Sequence, residues 1–320
     1  MNNILIIGAG QLGSRHLQGA LLSNNQLNIT VVDPSKTSLD VAKERASQIE
    51  YGNKNSTISY ATEIPNHNDI DICIIATAAQ VRATVTKQLL LTNQVKHIIF
   101  EKVLFQKLVE YTEILELINV SGSVGWVNCP RRLFPTYTEL KRHLDLSKPV
   151  HMSVRGDAWG MACNSVHFLD IFAYLVDNSS LDLVESNLDP ELIDSKRIGF
   201  YETTGQLSFN AGDNSLLIES GKSDNPKLIV SIENGESKHV INEGDGTWVQ
   251  IVGDCKEKNI HTPLFQSQLT GAVVDDLLMS NQCGLTPYAQ SCDIHLPFIT
   301  ALLTHMSTVL DKDLDACPIT

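Results

Sequence analysis

The sequence predicts an α/β chain in two parts: a doubly wound parallel sheet first, then an α+β domain with a mainly antiparallel, open sheet. Three observations carry this. The first third alternates unbroken apolar runs such as "IDICIIA" with helical segments, the pattern of parallel strands covered on both faces. From about residue 181 to residue 252 the chain breaks into short β-segments separated by Asn, Gly and Asp. And its 320 residues exceed the roughly 250–300 at which a single core stops growing. The hinge is expected in "SGS" (Ser121, Gly122, Ser123), dividing the chain into 1–122 and 123–320.

Taken in order, Asn3–Ile7 reads as a strand and Leu12–Leu22 as a helix. A second strand follows at Asn28–Val32. A helix over Ser38–Ile49 places Ala42, Ala46 and Ile49 on one side. Thr57–Tyr60, Ile70–Ala76 and Lys96–Glu101 read as further strands, with helices over Gln80–Leu91 and Leu108–Ile118. Past the hinge, Val124–Asn128 is one more strand and Pro135–Leu144 a helix. Val150–Arg155 alternates like a half-buried strand, and Ser165–Val176 is a strongly apolar helix. "GQLSFN", "SLLIES", "KLIVSIEN", "KHVIN" and "WVQIVG" are the clearest β-segments. Helices near Gln266–Met279 and Tyr288–Leu310 complete the second part.

Composition excludes several classes of function. A formal net charge of -13 with no basic tract argues against nucleic-acid binding, which needs clustered Lys and Arg. No apolar stretch approaches the ~18 residues of a membrane span, and no secretory leader is evident, so a soluble cytoplasmic protein is expected. The seven cysteines are scattered, with no CxxC pair, so neither a metal site nor a disulfide framework is predicted.

"GAGQLG" follows the first strand and opens the first helix. Gly8, Gly10 and Gly13 thus fall where a dinucleotide-binding loop needs them: for the tight turn, for close approach of backbone N–H groups to a pyrophosphate, and for helix–strand packing. Gln11 and Leu12 would present their N–H groups at the positive helix end. Asp33 ends the second strand 20 residues after Gly13, where an acid meets the adenosine ribose. Its carboxylate would repel a 2′-phosphate, which favours NAD over NADP, although Lys36 stands close by. The plainer reading makes the glycines a turn and Asp33 a helix cap. Ala76 and Thr77, at the carboxyl end of the fourth strand, leave room for a cofactor.

Together with this loop, "IIFEKVLF" and "WGMACNSVHFLDIF" resemble the glucose–fructose oxidoreductase/inositol dehydrogenase (Gfo/Idh/MocA) family. The resemblance implies an N-terminal Rossmann domain, a C-terminal α+β domain that often mediates oligomerisation, and NAD(H)-dependent dehydrogenation of a carbinol carbon. The substrate would be a sugar, sugar nucleotide or polyol, and the assembly a homodimer or homotetramer. Carried onto this chain, the family's E-K-P motif gives Glu101 and Lys102 beside the nicotinamide, and its D-x-G-x-H motif gives His167. Two departures stand out. Val103 replaces the proline and Cys163 the aspartate, with Ser165 in place of the glycine. These favour an alternative, a non-catalytic NAD-binding sensor on the same fold.

The chemistry of the candidates stands apart from the resemblance. Oxidising an alcohol releases a hydride and a proton, and a group within hydrogen-bond reach must take the proton. Histidine titrates near the useful range, and lysine can be tuned to it or polarise the oxygen as a cation. Lys102 and His167 are therefore the catalytic candidates, against readings as a solvated charge and a core histidine. With cysteine at 163, the partner that orients His167 is open between Asn164 and Asp170, and Asp170 could instead bond Arg131 or Arg132. A cis peptide before a non-proline costs about 2.5–4 kcal/mol, so Lys102–Val103 is expected to be trans. Asn128, Arg131, Arg132, Trp159 and Asn164 are the remaining substrate-binding candidates. The arginines suit a carboxylate or phosphate, or simply a salt-bridge pair.

Overall fold

A computed structural model describes residues 1–66, 68–195, 197–223 and 227–320. The strands and helices run in the order β1 (Asn2–Ile7), α1 (Gln11–Ala20), β2 (Leu27–Val32), α2 (Lys36–Ser47), β3 (Thr57–Ala61), β4 (Asp69–Ile75), α3 (Ala79–Thr92), β5 (Gln94–Glu101), α4 (Leu108–Ser121) and β6 (Val124–Asn128). Then come α5 (Pro135–His143), β7 (Val150–Asp157), α6 (Met161–Leu175), β8 (Asp182–Leu188), β9 (Ile193–Asp194), β10 (Tyr201–Glu202), β11 (Gly205–Ala211) and β12 (Asn214–Gly221). The last are β13 (Ile229–Asn234), β14 (Ser237–Asn242), β15 (Thr247–Val252), β16 (Cys255–Ile260), α7 (Gln266–Ser280), β17 (Thr286–Pro287) and α8 (Tyr288–Leu310). Among the described residues no helix is long and apolar enough to cross a membrane.

The chain divides into two compact units. The first comprises Met1–Phe105, Val109–Pro130 and Leu264–Ala289; the second comprises Gln106–Leu108, Arg131–Pro263 and Gln290–Thr320. The expected break at residue 122 is therefore corrected in two places. β6 pairs in parallel with β5, Ile99 opposite Trp126, so the first unit runs past the "SGS" stretch. And α7, expected in the second part, packs on α1.

Two glycines permit that packing. A Cβ on Gly19 would lie 2.7 Å from the Thr270 Cβ, and one on Gly271 would lie 2.7 Å from the Gly19 carbonyl oxygen. At the far end of the crossing, the Asp275 carboxylate accepts from the Ser23 hydroxyl, from Asn25 Nδ2 at 2.8 Å and from the Asn24 N–H at 3.2 Å. These polar ties have a sequence separation near 250 residues, which is why the hinge signal alone misplaces the helix.

The first unit's sheet has the order β17-β6-β5-β4-β1-β2-β3, parallel except for β17. β1 sits between β4 and β2, with Ile4 opposite Ile72 and Ile29. Ile4–Ile7, Ile72–Ile75 and Ile98–Phe100 are buried on both faces, as the unbroken apolar runs require. The reversal of strand order beside β1 creates the crevice at the carboxyl ends where ligands bind in open α/β sheets.

The second unit's sheet has the order β16-β15-β14-β13-β7-β12-β11-β8, with only β7 and β12 parallel. α6 lies against β12, with twelve of its fifteen residues buried. The edge strands β8 and β16 are almost wholly exposed. This is the doubly wound parallel sheet and the mainly antiparallel open sheet that the sequence predicts.

Candidate active site

The glycine loop assigns a separate duty to each glycine. Gly8 has φ +97°, a left-handed conformation that side chains resist, and a Cβ there would lie 2.9 Å from the Ala76 carbonyl carbon and oxygen. A Cβ on Gly13 would lie 1.7 Å from the Gly8 carbonyl oxygen, so helix and strand close only on glycine. Gly10 is different. It caps α1 with φ -66°, and a Cβ would meet nothing within 4 Å. Its side of the loop is open, and the cap residue, a glycine, offers no side chain to the N–H groups of the first turn of α1. Those groups have no intrahelical acceptor and suit an anion.

Around this opening, Asp33 Oδ2 accepts the Ala9 N–H at 2.7 Å and Oδ1 the Ser35 N–H at 2.8 Å. Asp33 is thus locked beside the loop, while Ser35 caps α2 by accepting the Ser38 N–H. The helix-cap reading of Asp33 falls to its neighbour. Gln11 and Leu12 are exposed on the first turn of α1. The Arg45 guanidinium holds Gln11, donating to its Oε1 at 2.6 Å. Ala76 and Thr77 follow β4, and Ala76 hydrogen-bonds to the Ile7 carbonyl at 2.8 Å. The residues fit a dinucleotide: an anion cradle with open space, and a fixed carboxylate at the end of β2.

At the end of β5 the structure builds a network that the sequence reading missed. Glu101 is buried, and its Oε1 accepts from His16 Nε2 at 2.8 Å and Asn128 Nδ2 at 2.6 Å. His16 Nδ1 lies 3.0 Å from Thr270 Oγ1, and Asn128 Nδ2 also reaches Gln266 Oε1 at 2.8 Å. Burial opposes ionisation of Glu101, but the hydrogen bond and charge of His16, then Asn128 and Arg82, hold its carboxyl below the ordinary range. Glu101 and Asn128 are therefore placed inside the first unit and bonded to one another. Lys102, the next residue, is half-buried.

The Lys102–Val103 peptide is cis, correcting the expected trans bond. Val103 is buried, and the buried Arg82 guanidinium donates to the carbonyls of Val103 and, at 2.8 Å, Leu104. Burial lowers the Arg82 pKa to about 10, with Glu101 and Tyr111 opposing.

In the second unit, His167 lies on the buried face of α6 beside Ser165 and Asp170. The two arginines are both matched by carboxylates. Arg132 donates to Asp170 through Nε and Nη2, each at 2.8 Å, a bidentate pair that is 9% and 1% exposed. Arg131 lies 3.4 Å from Glu243 and stacks 4.6 Å over the Phe168 ring. This is the salt-bridge reading, realised twice. Asn164 Nδ2 donates to the Trp159 carbonyl at 3.0 Å. The Trp159 indole donates to the Glu219 carbonyl at 3.0 Å and meets the Phe168 ring edge-on at 5.6 Å. Both side chains remain half-buried at the start of α6. Among the described residues no cluster of three metal-ligating side chains occurs.

The candidates therefore fall into two groups. Gly8, Gly10, Gln11, Leu12, Gly13, Asp33, Ala76, Thr77, Glu101, Lys102 and Asn128 belong to the first unit; Arg131, Arg132, Trp159, Asn164 and His167 belong to the second. His16 was legible only as a polar residue three positions after Gly13, and Gln266 and Thr270 carried no signal.

Comparison with known proteins agrees with this architecture. Residues 2–129 match the family model GFO_IDH_MocA, described as an oxidoreductase family with an NAD-binding Rossmann fold. No curated protein matches the chain by sequence. Among solved structures, the chain is similar to a UDP-N-acetylglucosamine 3-dehydrogenase from Acidithiobacillus ferrooxidans, with TM-score 0.68, 12% identity and 98% of each chain covered. It is similar to an oxidoreductase from Agrobacterium radiobacter in complex with NAD+, L-tartaric acid and magnesium, with TM-score 0.71, 12% identity and 93% of this chain and 94% of that one covered. It is also similar to a Gfo/Idh/MocA family oxidoreductase from Vibrio cholerae, with TM-score 0.69, 15% identity and 98% and 100% covered. At such identities the likeness establishes the fold. With the matched family model and the loop geometry beside it, residues 2–129 resemble the NAD-binding Rossmann domain of the Gfo/Idh/MocA oxidoreductases.

Proposed function

We propose that the protein is an NAD(H)-dependent oxidoreductase that interconverts a carbinol and a carbonyl on a sugar, sugar nucleotide or polyol. The observation that carries the cofactor half is the loop, where Gly8 and Gly13 are required by the fold and Gly10 opens onto the anion-binding end of α1. Asp33, fixed by the Ala9 and Ser35 N–H groups, supports NAD over NADP because its carboxylate would repel a 2′-phosphate. The carbohydrate half rests on the likeness to a UDP-N-acetylglucosamine 3-dehydrogenase.

A dinucleotide held by the Gly8–Gly13 loop and Asp33 would supply the hydride acceptor or donor. The chain's own residues handle the rest. Lys102 exchanges the hydroxyl proton or polarises the oxygen as a cation, and His167 serves as the second acid–base group. The Glu101 network fixes the backbone from which Lys102 projects. Trp159 and Asn164 supply an aromatic edge and a polar group for a sugar. We place the reaction in the cytoplasm and the active species as a homodimer or homotetramer.

The test is direct. NAD(H) and NADP(H) are compared by thermal shift, and nicotinamide absorbance is followed with a panel of sugars, sugar nucleotides and polyols. Turnover with one of the panel is expected. Lys102→Ala is expected to lower kcat about 10²–10⁴-fold while cofactor binding is kept. Cofactor binding without turnover on any of these substrates would point to the sensor reading instead.

A further inference from the structure

Both arginines of the second unit face carboxylates, but the two pairs are built differently. Arg132 is closed. Its Nε and Nη2 each reach Asp170 at 2.8 Å, and Nη2 also meets the Asp170 carbonyl at 3.3 Å. Arg131 is open. Its one approach to a carboxylate is Nη2 to Glu243 Oε2 at 3.4 Å, well beyond the roughly 2.7–2.9 Å of a charge-assisted hydrogen bond. Among the described residues its Nε is buried without an acceptor, and none reaches Nη1. Most of the donor capacity of this guanidinium is therefore unused.

The guanidinium is nevertheless fixed. Its Cζ lies 4.6 Å from the centroid of the Phe168 ring, which is fully buried on α6. Trp159 meets the same ring edge-on at 5.6 Å. A half-buried cation and a half-buried indole thus share one aromatic anchor. The Arg131 side chain is 18% exposed against 9% for Arg132, so only the looser of the two arginines is also the more accessible.

Glu243 does not depend on Arg131. Its Oε1 accepts the Tyr137 hydroxyl at 2.7 Å and lies 3.7 Å from His261 Nε2. Thr136 Oγ1 holds the other nitrogen of that buried imidazole at 3.0 Å. If Arg131 turns to another anion, Glu243 keeps partners and is not left as a bare buried charge. Asp170 in the Arg132 pair would lose its bidentate partner by the same move.

We infer that the substrate is an anion, a sugar or polyol bearing a carboxylate or a phosphate, which Arg131 binds in place of Glu243. This deepens the oxidoreductase reading and rests on it for the fate of the bound molecule. The planar fork of arginine suits either oxyanion. A neutral sugar offers nothing to exchange for Glu243, so the pair also selects against it.

The test is calorimetric titration of the full-length protein, with and without NAD. The probes are glucuronate, galacturonate, glucose 6-phosphate and UDP-N-acetylglucosamine, each set against its neutral parent sugar. At least one anion is expected to bind about tenfold or more tighter than its parent. Comparing the acids with the phosphates shows which oxyanion the site prefers. Arg131→Gln is expected to erase the preference. Glu243→Gln removes the competing charge, keeps an acceptor for Tyr137 and should tighten the same anion by about two- to fivefold. This second variant carries the test if Arg131→Gln does not fold. No preference for any anion in the wild type, an unchanged preference in Arg131→Gln, or no tightening in Glu243→Gln overturns the inference. Binding is read without turnover. Anion preference with no change in nicotinamide absorbance would fail the oxidoreductase reading alone, and turnover of a neutral sugar without anion preference would fail this inference alone.

Discussion

His16 Nε2 lies 2.8 Å from Glu101 Oε1. One residue follows the glycine loop by three positions, and the other immediately precedes Lys102. The contact therefore ties the anion-binding end of α1 to the end of β5, and Thr270 and Gln266 extend it to α7. Both partners are buried, at 1% and 4% side-chain exposure. Losing one member of such a pair leaves a buried charge unmatched and costs about 3–5 kcal/mol. His16→Ala is expected to lose about that much in urea denaturation, and Glu101→Gln less, because an amide can keep the hydrogen bonds. A loss below about 1 kcal/mol in His16→Ala would mean that the contact contributes no more than a surface pair.

Arg132 and Asp170 make the second prediction. Had Arg132 been a substrate clamp, its loss would raise KM and leave the fold intact. Its bidentate pairing with a carboxylate that is only 1% exposed predicts the reverse order of effects. Arg132→Met strands Asp170, and the expected loss is about 3–5 kcal/mol by urea denaturation. Asp170→Asn, which keeps one acceptor and removes the charge, should be the milder change. Full stability in Arg132→Met would return the residue to the list of substrate ligands.

Gly10 and Gly13 separate binding from folding. A methyl at Gly13 would run into the Gly8 carbonyl, which belongs to backbone and cannot give way. Gly13→Ala is expected to cost about 3 kcal/mol. A methyl at Gly10 meets no protein atom within 4 Å, and its φ of -66° suits alanine. Gly10→Ala should keep its stability within about 0.5 kcal/mol while weakening NAD binding by about tenfold, or ~1.4 kcal/mol. Calorimetric titration of both variants checks this, and unimpaired NAD binding in Gly10→Ala would mean that the pyrophosphate does not sit against the loop.

These glycines were readable in the sequence because each constraint is local: a turn, a cap and a helix–strand contact within six residues. The same holds for the Ile runs of β1, β4 and β5, whose burial on both faces leaves no polar alternation. The network around Glu101 was not readable. It joins residues 85 and 138 positions apart, and nothing in the helix pattern of Gln266–Ser280 says which helix it will meet. The edge strand β16 also escaped, because "CKEKNI" buries almost nothing and so shows no apolar period.

His239 gives a pH prediction. Its ring is fully buried on β14, and Nδ1 accepts from the Trp248 indole N–H at 3.4 Å. Burial, then the charge of nearby His143, lowers its pKa to about 4. Between that value and the ordinary value near ~6.5, the unfolded chain binds a proton that the folded chain refuses. Stability therefore rises with pH across this window. It is fully present above ~6.5 and is lost progressively as pH falls toward 4. From pH 7 to pH 5 the loss from this residue is about 2 kcal/mol. Glu243, held down to about 2, is a separate case: burial raises it, but His261, Arg131 and Tyr137 outweigh burial. Its contribution begins to fade only below ~4.5. Urea denaturation at pH 7 and pH 5 separates the two groups. Wild type should lose about 2 kcal/mol more than His239→Gln over that interval, and equal losses would mean that the buried imidazole accepts its proton without cost.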